Sequence, residues 1–216
     1  MSDIPSASVS FPPEEGVATG LIASPLKESL LGAGFWIRAL ARVIDIGLHY
    51  VATFAALLPV IITIGIYSSI TSKDSNRMIQ GLDGFSFVAI AFSLIGAVSA
   101  HAICEGFHGS TLGKRICGLV VVSEDLSPCS FKAALGRSLA FYVDGLFFGA
   151  VGYSSMSNSP RKQRFGDTWN KTMVCRRTDI SASTLRSGSR LFWVFLFGFS
   201  VDASFLAIGL TWQVFW

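Results

Sequence analysis

The chain has 216 residues, of which 51% are hydrophobic and only 14% charged, and its mean hydropathy is +0.55. Soluble domains carry about 25% charged residues, so this composition excludes an ordinary soluble core. The formal net charge of +3 gives no case for a nucleic-acid partner. The four cysteines, Cys104, Cys117, Cys129 and Cys175, form no Cys-x-x-Cys pair and have no histidine at zinc spacing. They read as scattered reduced thiols. No metal or cofactor signature is present, nor any constellation that supports an enzyme.

Residues 1–33 contain Pro5, Pro12, Pro13 and Pro25 among small and polar residues. They lack the basic start and apolar core of a cleaved signal peptide and are expected to form a disordered cytoplasmic tail. Three later stretches have the roughly 20 apolar residues that a bilayer crossing needs. The first runs from about Val43 to Tyr67 and the second from about Phe85 to Cys104. The third, Leu191 to Trp216, carries Trp193, Trp212 and Trp216 near its ends, as residues of an interfacial belt do. A fourth stretch, Ser138 to Tyr153, is short and has Asp144 near its middle, which suits a broken or re-entrant segment.

Charge placement chooses between topologies, because basic residues collect on the cytoplasmic side. If Ser138–Tyr153 dips in and returns, fifteen of the seventeen Lys and Arg residues are inside, and only Lys73 and Arg77 are outside. The expected fold is therefore an all-α membrane protein with three full spans, one re-entrant segment and two short cytoplasmic strands. Those strands are Leu119–Val122 and Thr172–Arg176. A basic linker, 178–190, leads to the last helix.

One pattern, R-x-L-A-x-x-[IV]-D, occurs twice, at Arg38–Asp45 and at Arg137–Asp144. Seven residues apart, each Arg and Asp share a helix face two turns from one another. Arg42 and His49 extend the first stripe. Each copy is followed by a basic loop and a β-like run, the first through Gly109, Thr111, Gly113 and Lys114, the second through Arg161, Arg164 and Asp167.

These residues carry a resemblance to the RDD family of polytopic membrane proteins. Its R-x-x-A-x-x-I-D is similar to Arg38, Ala41, Ile44 and Asp45, and its G-x-T-x-G-K to Gly109, Thr111, Gly113 and Lys114. A later family Arg corresponds to Arg137, and the closing H-D-x-x-x-x-T-V-V to Asp167, Thr172 and Val174. The resemblance covers about residues 34–177 and leaves 191–216 as an additional helix. Of the Arg and two Asp residues in the family name, Arg38 and Asp167 match, and the other Asp is Asp45 or Asp144. Gly166 stands where the family often has His, and Asn170-Lys171 replaces a small pair. The resemblance implies a role in cation/proton exchange proposed for some members, in a bacterial cytoplasmic membrane.

Carboxylates inside a membrane are costly and normally pair or line a polar path. Asp45, Asp144 and Asp202, with His49, are the candidate ion and proton path. The competing reading makes Arg38 and Arg137 structural ion-pair partners of Asp45 and Asp144, each with its own copy's acid or the other's. Asp202, on a last helix expected to be peripheral, has no basic residue within a turn or two and is expected to be unpaired. Gly113-Lys114 lacks the rest of a phosphate loop, since Arg115 follows the Lys. Arg161, Lys162, Arg164, Arg176 and Arg177 are expected to meet anionic lipid headgroups. Function divides into a small transporter exchanging cations for protons, expected as a homo-oligomer, and a non-transporting scaffold or assembly factor.

Overall fold

The computed structural model describes residues 31–71, 74–80, 86–186 and 190–215. The tail before Leu31, together with Lys73, Phe85 and Trp216, lies outside the described residues. Three helices are long and apolar enough to cross a bilayer: α1 (Phe35–Thr71), α3 (Phe87–His108) and α8 (Leu191–Phe215). A short helix α2 (Ser75–Gln80) follows α1. At 37 residues and about 1.5 Å per residue, α1 exceeds the roughly 30 Å hydrocarbon core. Its first turns, with Arg38 and Arg42, therefore extend the helix beyond the apolar stretch that begins at Val43.

The helices bury small and polar residues and turn large apolar ones outward. Along α1 the buried positions are Arg38, Ala41, Asp45, Ala52, Ala56, Val60 and Ile64, one stripe at helical spacing. Val51, Phe54, Leu58, Ile61 and Ile62 are exposed. A soluble protein rarely shows so large an apolar surface; lipid is its solvent. Helix α8 lies against both α1 and α3, so it is an integral part of the bundle. Its close approach to α3 uses glycine: a Cβ on Gly209 would sit 2.9 Å from the Phe92 Cβ and 3.1 Å from the Ala89 Cα. Small residues of this kind let membrane helices pack backbone to backbone. Gly209→Val should therefore cost about 1–3 kcal/mol of stability through overpacking, read as a lower melting temperature in detergent. Gly65→Val, where nothing lies within 4 Å, should leave it unchanged; equal shifts in the two variants would refute this packing argument.

After α3 the chain turns through Gly109 in the left-handed region (φ 70°) into the five-residue helix α4 (Leu112–Ile116) and strand β1 (Leu119–Ser123). Helices α5 (Phe131–Asp144) and α6 (Leu146–Asn158) follow, with a bend of 110° between Phe131–Asp144 and Gly149–Asn158. Then come the five-residue helix α7 (Phe165–Trp169), strand β2 (Thr172–Arg176) and a single 3-10 turn (Arg177–Asp179). β1 and β2 pair antiparallel, with Leu119 opposite Arg176 and Ser123 opposite Thr172. Both strands are almost wholly buried, and Leu119, Val121 and Val174 share a core cluster with Ala33 and Ala41 at the start of α1. The sheet therefore gathers the start of α1 and the ends of both repeat units.

The sequence echo corresponds to a structural one. Each copy is an Arg…Asp helix leading to a five-residue helix and then a five-residue strand. In each, the second residue of the short helix is a glycine whose backbone N–H donates to that copy's own Asp: Gly113 to Asp45 at 2.8 Å and Gly166 to Asp144 at 3.4 Å.

Candidate functional site

Two clusters of buried ionisable groups occupy the bundle. The first lies beside the sheet and centres on Asp167, which the start of α7 presents to both repeat arginines. Arg38 Nη1 reaches Asp167 Oδ2 at 2.6 Å and Arg137 Nη2 reaches Oδ1 at 3.1 Å. Arg137 Nε also lies 3.4 Å from Glu105 Oε2, and Lys114 Nζ pairs with Glu105 Oε1. Arg38 further donates to the carbonyls of Lys162 at 3.0 Å and Val174 at 3.2 Å, and Arg137 to Thr172 Oγ1 at 3.0 Å. Burial alone would raise the Asp167 carboxyl, but Arg137, Arg38 and Arg164 outweigh it and hold the group well below the usual carboxylate range. Burial pulls the Lys114 ammonium down despite Glu105 alongside it.

This corrects the expected ion pairs. Arg38 does not pair with Asp45 or Asp144, and Arg137 does not pair with Asp144; Arg38 reaches across to Asp167 of the second unit, while Arg137 meets that same Asp167 and Glu105 of the first. The physical reason is geometry. Residues seven apart on a straight helix are separated by about two turns, or roughly 10 Å, whereas the paired strands bring both units' loops onto both arginines. Glu105 was not among the sequence candidates. Its signal was present, as an acid four residues after His101 on an apolar helix.

Asp45 instead accepts from Thr111 Oγ1 at 2.6 Å and from Gly113 N at 2.8 Å. The Gly-x-Thr-x-Gly-Lys run does bind an anion through a helix start, but the anion is the protein's own carboxylate. A Cβ on Gly113 would collide with the Ala41 carbonyl oxygen, so α4 can lie on α1 only with glycine there. Gly166 is equally constrained: a Cβ would lie 2.7 Å from the Ala140 Cβ and 3.2 Å from Asp144 Oδ2.

The second cluster lies between α1, α3 and α8, around a cavity of about 100 Å³ lined by Asp45, His49, His101, Cys104, Thr111 and Asp202. His49 does not face Asp45. Its Nδ1 lies 2.8 Å from Asp202 Oδ2, and its Nε2 lies 3.1 Å from Ser93 Oγ. Asp202 is therefore partnered across helices, contrary to the expectation of an unpaired acid, because α8 is inside the bundle. His101, also missed in the sequence, places Nδ1 2.8 Å from the Ala97 carbonyl oxygen and Nε2 3.7 Å from Asp45 Oδ2. Among the described residues, no group of three His, Cys, Asp or Glu side chains is placed to hold a metal ion.

Of the expected headgroup contacts, Lys162 and Arg176 are exposed and Arg161 and Arg177 half-buried. Arg164 departs from the group: it is turned inward, beside Arg38 and Arg42. The cysteines are free among the described residues, and burial pushes Cys129 up to about 11 and Cys175 up to about 12, which leaves both thiols inert.

Apolar helices turned outward around buried charged clusters define a multi-pass integral membrane protein. Comparison with known families matches the RDD family over residues 32–171, and the chain belongs to that family. No curated protein and no solved structure matches it.

Proposed function

We propose that the protein is a small transporter that exchanges a monovalent cation for protons through the cavity between α1, α3 and α8. The observation that carries this reading is the contact between His101 and Asp45. His101 Nδ1 is within hydrogen-bond distance of the Ala97 carbonyl oxygen, an acceptor only, so the ring proton belongs there. In the neutral ring, Nε2 is then bare and faces a carboxylate oxygen at 3.7 Å, with no hydrogen-bond partner among the described residues. One added proton converts this repulsion into a charge-assisted hydrogen bond. Asp202 and His49 form a second acid–imidazole contact on the same cavity. A cavity of this size has room for several waters, through which a proton or a small cation reaches either acid. Carboxylates at such depth are the usual loading groups of ion pathways.

The purified protein in liposomes, under a pH gradient, should release or take up protons when Na⁺, Li⁺ or K⁺ is added. No cation-dependent proton movement across that panel would overturn the reading. The scaffold alternative draws support from the first cluster, where Asp167 is held between Arg38 and Arg137 and Glu105 lies against Lys114 and Arg137; it gives Asp45 and Asp202 no task.

The sheet side of the bundle faces the cytoplasm in this reading, with the charge distribution as its support. With Cys117→Ser as background, Asn76→Cys should label in intact cells and Ser157→Cys only after permeabilisation. External labelling of Ser157→Cys in intact cells would overturn this topology.

A further inference from the structure

A second cavity, of about 220 Å³, lies between the start of α1 and the bent pair α5–α6. Its wall combines three kinds of group. Arg38, Arg42 and Arg164 line it, as does Asp144, and Phe35, Val43, Phe141 and Met156 supply apolar surface. Arg38 is committed to Asp167. Arg42 and Arg164 are not: among the described residues neither lies within 4 Å of a carboxylate, and the Nε of each is buried without a hydrogen-bond partner. Arg42 is held with its guanidinium carbon 3.7 Å from the centre of the Phe141 ring. Stacking of this kind leaves the in-plane N–H groups free to donate. Asp144 accepts from Gly166 N through Oδ2, and its buried Oδ1 has no partner. Two unpaired guanidinia and one half-satisfied carboxylate thus share a cavity without pairing with one another.

Arg42 and Arg164 are half-buried and Asp144 is buried, and charges drawn out of water without a partner are costly unless something completes them. The set is complementary to a zwitterion that carries a phosphate and an ammonium a few bonds apart. Trp36 and Tyr153 are exposed beside this cavity, and the Phe35 ring lies edge-on 5.2 Å from Tyr153. Amphipathic aromatic rings mark the headgroup level of a bilayer, while exposed Val43, Leu146 and Phe147 supply apolar surface for acyl chains. We propose that this cavity is a binding site for one aminophospholipid, with the phosphodiester on Arg42 and Arg164 and the ammonium on Asp144.

Native mass spectrometry of the full chain in detergent, titrated separately with phosphatidylethanolamine, phosphatidylglycerol and inorganic phosphate, tests this. One phosphatidylethanolamine should bind, at least tenfold more tightly than phosphatidylglycerol. Asp144→Asn should erase that preference while keeping phosphate-dependent lipid binding. The pair R42Q and R164Q should lose both lipids. Val43→Trp, which fills the mouth from an exposed helix position, should also lose the lipid, and it decides the matter if the arginine variants fail to fold. Equal binding of the two lipids overturns the ammonium assignment. Inorganic phosphate that binds as tightly as the lipid makes this a free-anion site. Lipid binding unchanged in every variant overturns the site itself.

Discussion

Asp167→Asn is expected to cost about 3–5 kcal/mol of stability, the penalty typical of removing one partner from a buried ion pair. The amide keeps the shape but removes the charge that Arg38 and Arg137 both face, and both guanidinia are almost wholly buried. Asp179→Asn, at an exposed acid beside the sheet, should be close to neutral. Thermal unfolding of the purified protein in detergent compares the two, and similar melting temperatures would show that Asp167 is not the hub. Replacing Arg38, Arg137 and Asp167 together by apolar residues of similar volume should recover part of the loss, since the orphaned charge is the costly state. Acid should act in the same direction. The folded-state pKa of Asp167 is lowered beneath the unfolded value of about 3.9. Its contribution is therefore full above the unfolded value and is lost as pH falls toward the folded one. Asp167→Asn should flatten the acid limb of the stability profile.

The spans were legible because lipid imposes a pattern that a single sequence carries: long apolar runs, few charges and asymmetric basic loops. The strands were legible because Leu119–Val122 and Thr172–Arg176 are short β-branched runs bounded by turn residues; only Ser123 was added to the first. Partner choice among charges was not legible. Arg38 and Asp45 share a helix face, and nothing in the local spacing says that α7 will bring Asp167, 129 positions away, onto the same guanidinium. That contact is created by the antiparallel pairing of β1 with β2, a long-range event. The partner of Asp202 is hidden for a related reason. Helix α8 is apolar all round, so its sequence does not say which side meets protein; Gly198 and Gly209, against Cys104 and Ala89, mark the side that does. His101 and Glu105 do carry a local signal, since an ionisable residue within a span is by itself a mark of burial among partners.

Asp45→Asn should reduce cation-dependent proton movement in liposomes to the level of protein-free vesicles, with the protein still folded and inserted. The amide oxygen can still accept from Gly113 N, and Thr111 can reorient toward the amide nitrogen, so the contact between α1 and α4 survives. What disappears is the second negative oxygen opposite His101 Nε2. The site can then no longer alternate between a shared proton and a bound cation, because the amide neither binds a proton near neutral pH nor carries the charge that attracts Na⁺ or K⁺. Asp202→Asn should give the same loss if the two acid–imidazole contacts act in series across their shared cavity. It would remove the charged partner of His49 while leaving the His101 contact intact. His101→Gln separates loading from folding, since it keeps a polar group in the cavity but cannot take up a proton. Undiminished exchange in Asp45→Asn would remove this carboxylate from the mechanism. Exchange lost in Asp45→Asn yet intact in His101→Gln would leave the acid as the loading group and discard the imidazole relay.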